Sequence, residues 1–287
     1  MKSTDCDLLI KAGRVFCAKN NIDGPGSVAI KDGKIIAVNQ QIPPDANNIL
    51  EFPNSVLLPG FIDLHAHPAP PNWKYGVDPD IFILPRGTTT ILSQGDAGAN
   101  NWARYKKEVI DKSDIRIRMA LSPAIHGEEF DHPVYANFED LDVKVCSETV
   151  KQDESLIWGI AVNISYACCA CHNPKDIMNK VLEIAYKTEK PILYGMRWDP
   201  FDWLIDDQLK LLRSNDVVTY SFHTGPGGLA PSGKVETAVW KAKEKGIKFD
   251  IGHGMTSFNF EVAETSIREG FLPDTISTDF YLKHATS

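Results

Sequence analysis

Leu58-Pro-Gly-Phe-Ile-Asp-Leu-His-Ala-His67 is the stretch from which the fold can be read. Pro-Gly punctuates the chain, and the short apolar run at 61–65 then reads as a buried strand. The same texture returns downstream, with further candidate strands at 88–92, 115–121, 157–164, 191–194, 217–222, 249–251 and 275–278. Helical spacing fills the intervals at 102–111, 174–188, 203–212, 235–245 and 260–269, and Gly246 and Gly270 stand where left-handed helix caps are expected. Strands alternating with helices imply parallel pairing through right-handed crossovers, and eight such units are the signature of an α/β protein of the (β/α)8 TIM-type barrel class. An open doubly wound sheet is the weaker alternative. It lacks a Gly-x-Gly-x-x-Gly after an early strand, and Gly225-Pro-Gly-Gly follows only the sixth.

Ahead of the barrel the pattern is different. Short apolar runs flank Asp32-Gly33, a pair that favours a tight hairpin because both central residues accept positive φ. Residues 1–55 therefore read as a partial β-sandwich module and 56–287 as the barrel. The chain stops at Ser287, shortly after the last expected strand, leaving no sequence for an eighth helix. The chain is read as either a fragment or one whose flank a partner covers.

Composition narrows the function. With 43% hydrophobic and 24% charged residues the chain can offset the entropy of ordering most of its length. Lys and Arg number 30 against 38 Asp and Glu, a net charge of −8 with no basic run, so a phosphate backbone is repelled and a nucleic-acid partner is not expected. No apolar stretch has the roughly 18 residues of a membrane span. Cys168, Cys169 and Cys171 are crowded together, a spacing that suits free thiols or ligation better than a secreted disulfide framework. These features predict a soluble cytoplasmic protein with a small-molecule substrate; oligomeric state stays open, a homo-oligomer included.

In such a barrel the polar residues at the carboxyl ends of the strands converge on one mouth. They are His65 and His67, Asp96, His126, Asn163, Arg197, His223, His253 and Asp279. A period of two puts His65 and His67 on the same face, which makes half of a metal site. Closure of the barrel brings the eighth strand beside the first, so Asp279 becomes their neighbour. Two histidines and a carboxylate with open positions suit Zn(II), Fe(II) or Mn(II), and the carboxylate can accept a proton from activated water. The bland alternatives are hydrogen-bonded mouth histidines without metal and a loop aspartate. His126-Gly-Glu128, with Glu129 beside it, reads as a solvated loop ahead of the alternative, a gate at the entrance.

Leu58 to His67 resembles the first-strand motif of the amidohydrolase superfamily, metal-dependent hydrolases of amide and cyclic amide bonds. Gly87-Thr-Thr-Thr, Phe249-Asp-Ile-Gly-His-Gly254 and Pro273-Asp-Thr-Ile-Ser-Thr-Asp279 are similar to its dihydroorotase-related deacetylase branch, near the D-aminoacylases. The resemblance spans nearly the whole chain and includes the amino-terminal β module. It implies a carboxylated lysine on strand four, where this chain has Gly159-Ile-Ala161-Val-Asn163. It also implies histidines on strands five and six, where Gly195 or Tyr194, and Tyr220, stand instead.

The centre expected from what remains is a single divalent ion, Zn(II) foremost, held by His65, His67 and Asp279. Asp96 is a fourth-ligand candidate, and His223 a replacement on strand six. Asp279 is the catalytic proton shuttle, and His253, Arg197 and Asn163 are placed on the substrate. Cys168, Cys169, Cys171 and His172 stand near the missing lysine, but their spacing matches no standard zinc finger. The expected activity is hydrolysis of a C–N amide bond, in an N-acyl amino acid or a cyclic amide or imide, with hydrolytic deamination a close variant. The alternative is a catalytically degenerate barrel serving as a binding or scaffold protein, or a truncated fragment.

Overall fold

Asp32 and Gly33 take φ of +50° and +69°, the positive values a tight hairpin requires, and they join two strands of the first of two units. The computed structural model describes residues 6–39, 46–130, 132–197 and 199–286. The first unit, Met1–Gly60, holds β1 (Cys6–Cys17), β2 (Ile22–Lys31), β3 (Lys34–Asn39) and β4 (Ala46–Leu57). Their order is β3-β2-β1-β4, with β1 antiparallel to β2 and parallel to β4. Among the described residues this is one mixed sheet, where the sequence suggested part of a two-layer sandwich.

The second unit, Phe61–Ser287, carries β5 (Phe61–Ala66), α1 (Pro79–Phe82), β6 (Thr88–Gln94), α2 (Trp102–Glu108), β7 (Arg116–Leu121), α3 (Val143–Gln152) and β8 (Ile157–Asn163). It continues with α4 (Tyr166–Cys169), α5 (Pro174–Thr188), β9 (Ile192–Gly195), α6 (Ile205–Leu211) and β10 (Val217–Thr219). It ends with α7 (Thr237–Glu244), β11 (Lys248–Phe249), α8 (Phe260–Arg268) and α9 (Leu282–Thr286). Strands β5 to β11 pair in parallel in chain order, as consecutive βα units require. α5 begins at Pro174, with the Asn173 side chain accepting from Lys175 N at 2.9 Å, and buries Ile177, Val181 and Ile184. α3 is missing from the expected helices because its buried face is made partly of Cys146, Ser147 and Thr149, which weakens the apolar period.

The eighth expected strand is an irregular extended segment. Parallel bridges join Thr275 to Asp250 and Phe280 to Ala66. His253 N and Gly254 N donate to Ser277 O and Thr278 O, both at 3.0 Å, while Asp279 N donates to His65 O at 2.7 Å and His67 N to Phe280 O at 2.9 Å. The segment thus closes the cylinder between the first and last strands. A continuous ladder is interrupted because Asp279 turns through φ +51°. β10 is likewise shorter than the expected 217–222, since Tyr220 adopts φ +63°. A five-residue helix, α9, follows the closing segment where the sequence reading left no room for one.

Two apolar layers follow from strand alternation. One face of the sheet packs with the helices, through residues such as Ile91, Ile117, Ile160 and Val218. The other gathers Leu92, Ala120, Ala161, Leu193 and Val217 from strands alone, so it is the inside of the cylinder. Two residues further along, the same inward rows end in Gln94, Asn163, Gly195 and Thr219. No helix among the described residues is long and apolar enough to cross a membrane. Cys17, Cys146, Cys168, Cys169 and Cys171 are free thiols.

Candidate metal centre

β5 delivers His65, His67 follows directly after its last residue, and the closing segment delivers Asp279. The Nε2 atoms of both histidines lie 3.4 Å from the same oxygen, Asp279 Oδ1. All three residues are buried, and they form a group whose ligand atoms lie within 4.8 Å of one another. A tetrahedral ion with bonds of ~2.0–2.1 Å has ligand–ligand edges of about 3.3 Å, so the two nitrogen–oxygen separations fit such a centre.

The outer nitrogens are already committed. His65 Nδ1 lies 2.9 Å from Thr219 Oγ1, and the Thr219 hydroxyl donates to Asp250 Oδ2 at 2.9 Å. Thr219 must then accept from His65, which puts the ring proton on Nδ1 and the lone pair on Nε2. Asp250 is fully buried and also accepts from the hydroxyls of Thr275 and Ser277. Burial pushes its carboxyl up to about 6, against the pull of those three hydroxyls. His67 Nδ1 lies 2.7 Å from Asp96 Oδ1, while Asp96 Oδ2 accepts from the Ser93 hydroxyl at 2.5 Å. Carboxylates behind the ring nitrogens are the usual way of orienting metal-binding histidines.

Burial lowers the His65 pKa to about 4, with Asp279 opposing the shift, so this imidazole is neutral at pH 7. Burial also disfavours a charged His67, but Asp96 and Asp279 outweigh it and hold that ring's pKa well above its ordinary value. An ion would displace that proton. Asp279 is penalised by burial, yet His65, His67 and Arg197 keep its carboxyl below the ordinary range. Asp63 fastens the two segments together. Its carboxylate accepts from His65 N, Thr278 N and the Thr278 hydroxyl, a link spanning 215 positions.

Gly254 completes the setting. A Cβ there would lie 2.6 Å from Asp279 Oδ2, and its φ of +49° is a left-handed value. Gly254→Ala is expected to displace the Asp279 carboxylate and to weaken metal binding roughly 10–100-fold, the range seen for altered metal-orienting partners. Isothermal titration with zinc measures this directly, and unchanged affinity contradicts the placement.

The other expected site residues divide. Asn163 and Arg197 line the cavity of about 570 Å³ that contains His67 and Asp279. Arg197 Nη1 donates to Ser257 Oγ at 3.2 Å, and its guanidinium lies 4.2 Å from the Tyr220 ring centroid. Asp96 is behind His67 rather than in the ligand group, because its oxygens are engaged by His67 and Ser93. His223 is buried outside the group, and its Nδ1 accepts from Gly225 N at 2.9 Å. His253 is exposed, stacked on Phe258 with ring centroids 4.6 Å apart, and its Nδ1 donates to the Gly254 carbonyl. The orientation of the Gly252-His253-Gly254 backbone turns that ring outward.

Sequence reasoning missed Tyr220, Thr219, Asp250 and Glu128. Tyr220 stands where the resemblance placed a strand-six histidine, and its hydroxyl is 3.0 Å from His65 Nε2. Burial keeps the phenol protonated, so it donates to that lone pair. An ion taking this nitrogen replaces the Tyr220 hydrogen bond. The inward row of β10 was the signal for Thr219, two residues after Val217.

No family model matches the chain. It is 27% identical to a deacetylase of Enterococcus faecalis, over 98% of this chain and 74% of that protein. A deacetylase of Agrobacterium fabrum is 30% identical over 87% of this chain and 62% of its own length. The crystal structure of an adenine deaminase superposes with a TM-score of 0.88 at 26% identity, covering 98% of this chain and 75% of that one. The chain belongs to the amidohydrolase superfamily. A dihydroorotase crystal structure agrees, with a TM-score of 0.84 at 27% identity over 95% of this chain and 72% of that one. This amidohydrolase therefore spans between three fifths and three quarters of the length of these relatives.

Proposed function

We propose that this amidohydrolase is a metal-dependent hydrolase that cleaves a C–N amide bond in a small carboxylate-bearing molecule, an N-acyl amino acid or a cyclic amide or imide. One observation carries the reading: two imidazoles with committed outer nitrogens aim both Nε2 atoms at one buried carboxylate oxygen. That donor set suits a single Zn(II), with Fe(II) or Mn(II) as substitutes. When bound, such an ion supplies Lewis acidity, polarising a carbonyl and lowering the pKa of water.

The chain's own residues do the rest. His65 and His67 would hold the ion. Asp279, ionised at neutral pH, accepts the proton that water loses as it attacks the acyl carbon. Arg197 stands on the cavity wall and offers a planar cation to a substrate carboxylate, while Asn163, at the end of the neighbouring strand, supplies a polar contact. Lys74 and Lys283 also line this cavity, which favours an anionic substrate over a neutral purine. The scaffold reading is not favoured, because a binding protein gains nothing from keeping a buried carboxylate against two imidazoles.

The test is a zinc-loaded protein assayed against N-acetyl amino acids, hydantoins and adenine, with a chelated sample alongside. Release of acetate or ring opening is expected, falling at least ~100-fold on chelation and returning with zinc. A protein that takes up no stoichiometric metal and cleaves none of these refutes the reading.

A further inference from the structure

Glu128 lines the same cavity as His67 and Asp279 and has no task in the mechanism above. It sits on the loop after β7, where Glu128 N donates to Gly95 O at 3.0 Å. The loop is pressed onto the Asp96 loop: at Gly127, φ +62°, a Cβ would lie 2.6 Å from Asp96 O. The Glu128 tip is fixed by the same packing. Its Oε1 lies 3.4 Å from the point a Cβ of Gly95 would occupy, and the inward-facing Ala161 Cβ is 3.7 Å from that point. The carboxyl therefore fills the space above a small residue of the cylinder interior and faces the cavity shared by His67, Tyr220 and Asp279.

Among the described residues its carboxyl makes no hydrogen bond and no ion pair, although the group is half-buried. A partnerless carboxyl in a cleft is costly as an anion and available as an acid. Burial pushes it up to about 7; His67 and Lys74 pull it down, and Asp96 and Asp279 push it up further. Asp279 and Glu128 enter the cavity from different walls, with His67 and Asp96 between them in strand order.

We propose that Glu128 is a second catalytic residue, the proton donor to the departing nitrogen. This rests on the C–N hydrolase reading. Water's oxygen bonds to the acyl carbon as one of its protons passes to Asp279. The C–N bond then breaks with its electron pair on nitrogen, and nitrogen takes the proton of Glu128. The proton on Asp279 returns through solvent to restore Glu128, so the net change is one water added across one amide.

The experiment compares two leaving groups on the zinc-loaded enzyme: the amide that the wild type cleaves fastest, and the 4-nitrophenyl ester of the same acyl group, whose leaving oxygen needs no proton. For Glu128→Gln, kcat/KM on the amide is expected to fall about 10²–10⁴-fold, and on the ester less than roughly 5-fold, with zinc content unchanged. Glu128→Ala supplies a second variant, in which added formate or acetate is expected to restore amide cleavage roughly tenfold by replacing the lost acid. Equal losses on both substrates, loss of zinc from the Gln variant, or no rescue of the Ala variant each overturn the assignment. A wild type that cleaves the ester but no amide instead overturns the C–N hydrolase reading, and the assignment with it.

Discussion

Asp279→Asn is expected to lower kcat about 10³-fold or more while leaving the protein folded, because the amide keeps the carboxylate's shape but cannot take a proton. The local geometry supports this separation of effects. Asp279 N still donates to His65 O, and Gly254 still leaves room for the second side-chain atom. Zinc affinity is expected to fall as well, since an anionic oxygen facing two Nε2 atoms becomes neutral. Single-turnover kinetics at saturating zinc isolate the proton-transfer loss from the binding loss. Near-wild-type turnover at full zinc occupancy removes Asp279 from the chemistry.

His65→Ala is expected to be worse in a different way. It deletes a ligand and also strands the partners of a fully buried ring. The Tyr220 hydroxyl loses its acceptor, and the Thr219 oxygen loses its donor, at a cost of about 1–3 kcal/mol for each group left unsatisfied. Metal content near zero, undetectable turnover and a lowered urea midpoint are the expected results. Cys171→Ser is the control: this thiol is exposed and outside the cavity of the metal centre, so neither metal content nor midpoint should move. If His65→Ala retains stoichiometric zinc, the centre is elsewhere.

How much of this could be read from the sequence depends on the range of the forces involved. The His65-Ala-His67 pair was legible because strand alternation is a local property, and Pro174–Thr188 was legible because a cap, a proline and a 3.6-residue apolar period all lie within one segment. Asp279 was legible once a cylinder was assumed, since closure makes the last segment a neighbour of the first. Asp96 was misplaced for an instructive reason. Its position in the chain put it at the mouth correctly, but the side chain turns to His67 Nδ1 and Ser93 rather than into the group. His223 and His253 failed similarly. Both follow strands, yet the backbone turns at Tyr220 and at Gly252 to Gly254 aim them away from the centre.

Glu128 shows the opposite error. A Gly-Glu-Glu run reads as solvated, because nothing local says that Gly127 allows the loop to lie against the Asp96 backbone. Tyr220 read as a lost ligand; its hydroxyl in fact rests on the nitrogen that a ligand would share.

By itself, then, the sequence determined the strand and helix rhythm, the hairpin at Asp32-Gly33 and the pairing of two imidazoles on one face, all set by periodicities of a few residues. Tertiary structure alone decided which nitrogen of each ring faces inward. That choice belongs to Thr219, which stands 154 positions from His65, and to Asp96, 29 positions from His67. A ring's orientation is fixed by the hydrogen bond at its far side, and only the fold brings that partner into place: from the neighbouring strand for Asp96, across the closed cylinder for Thr219.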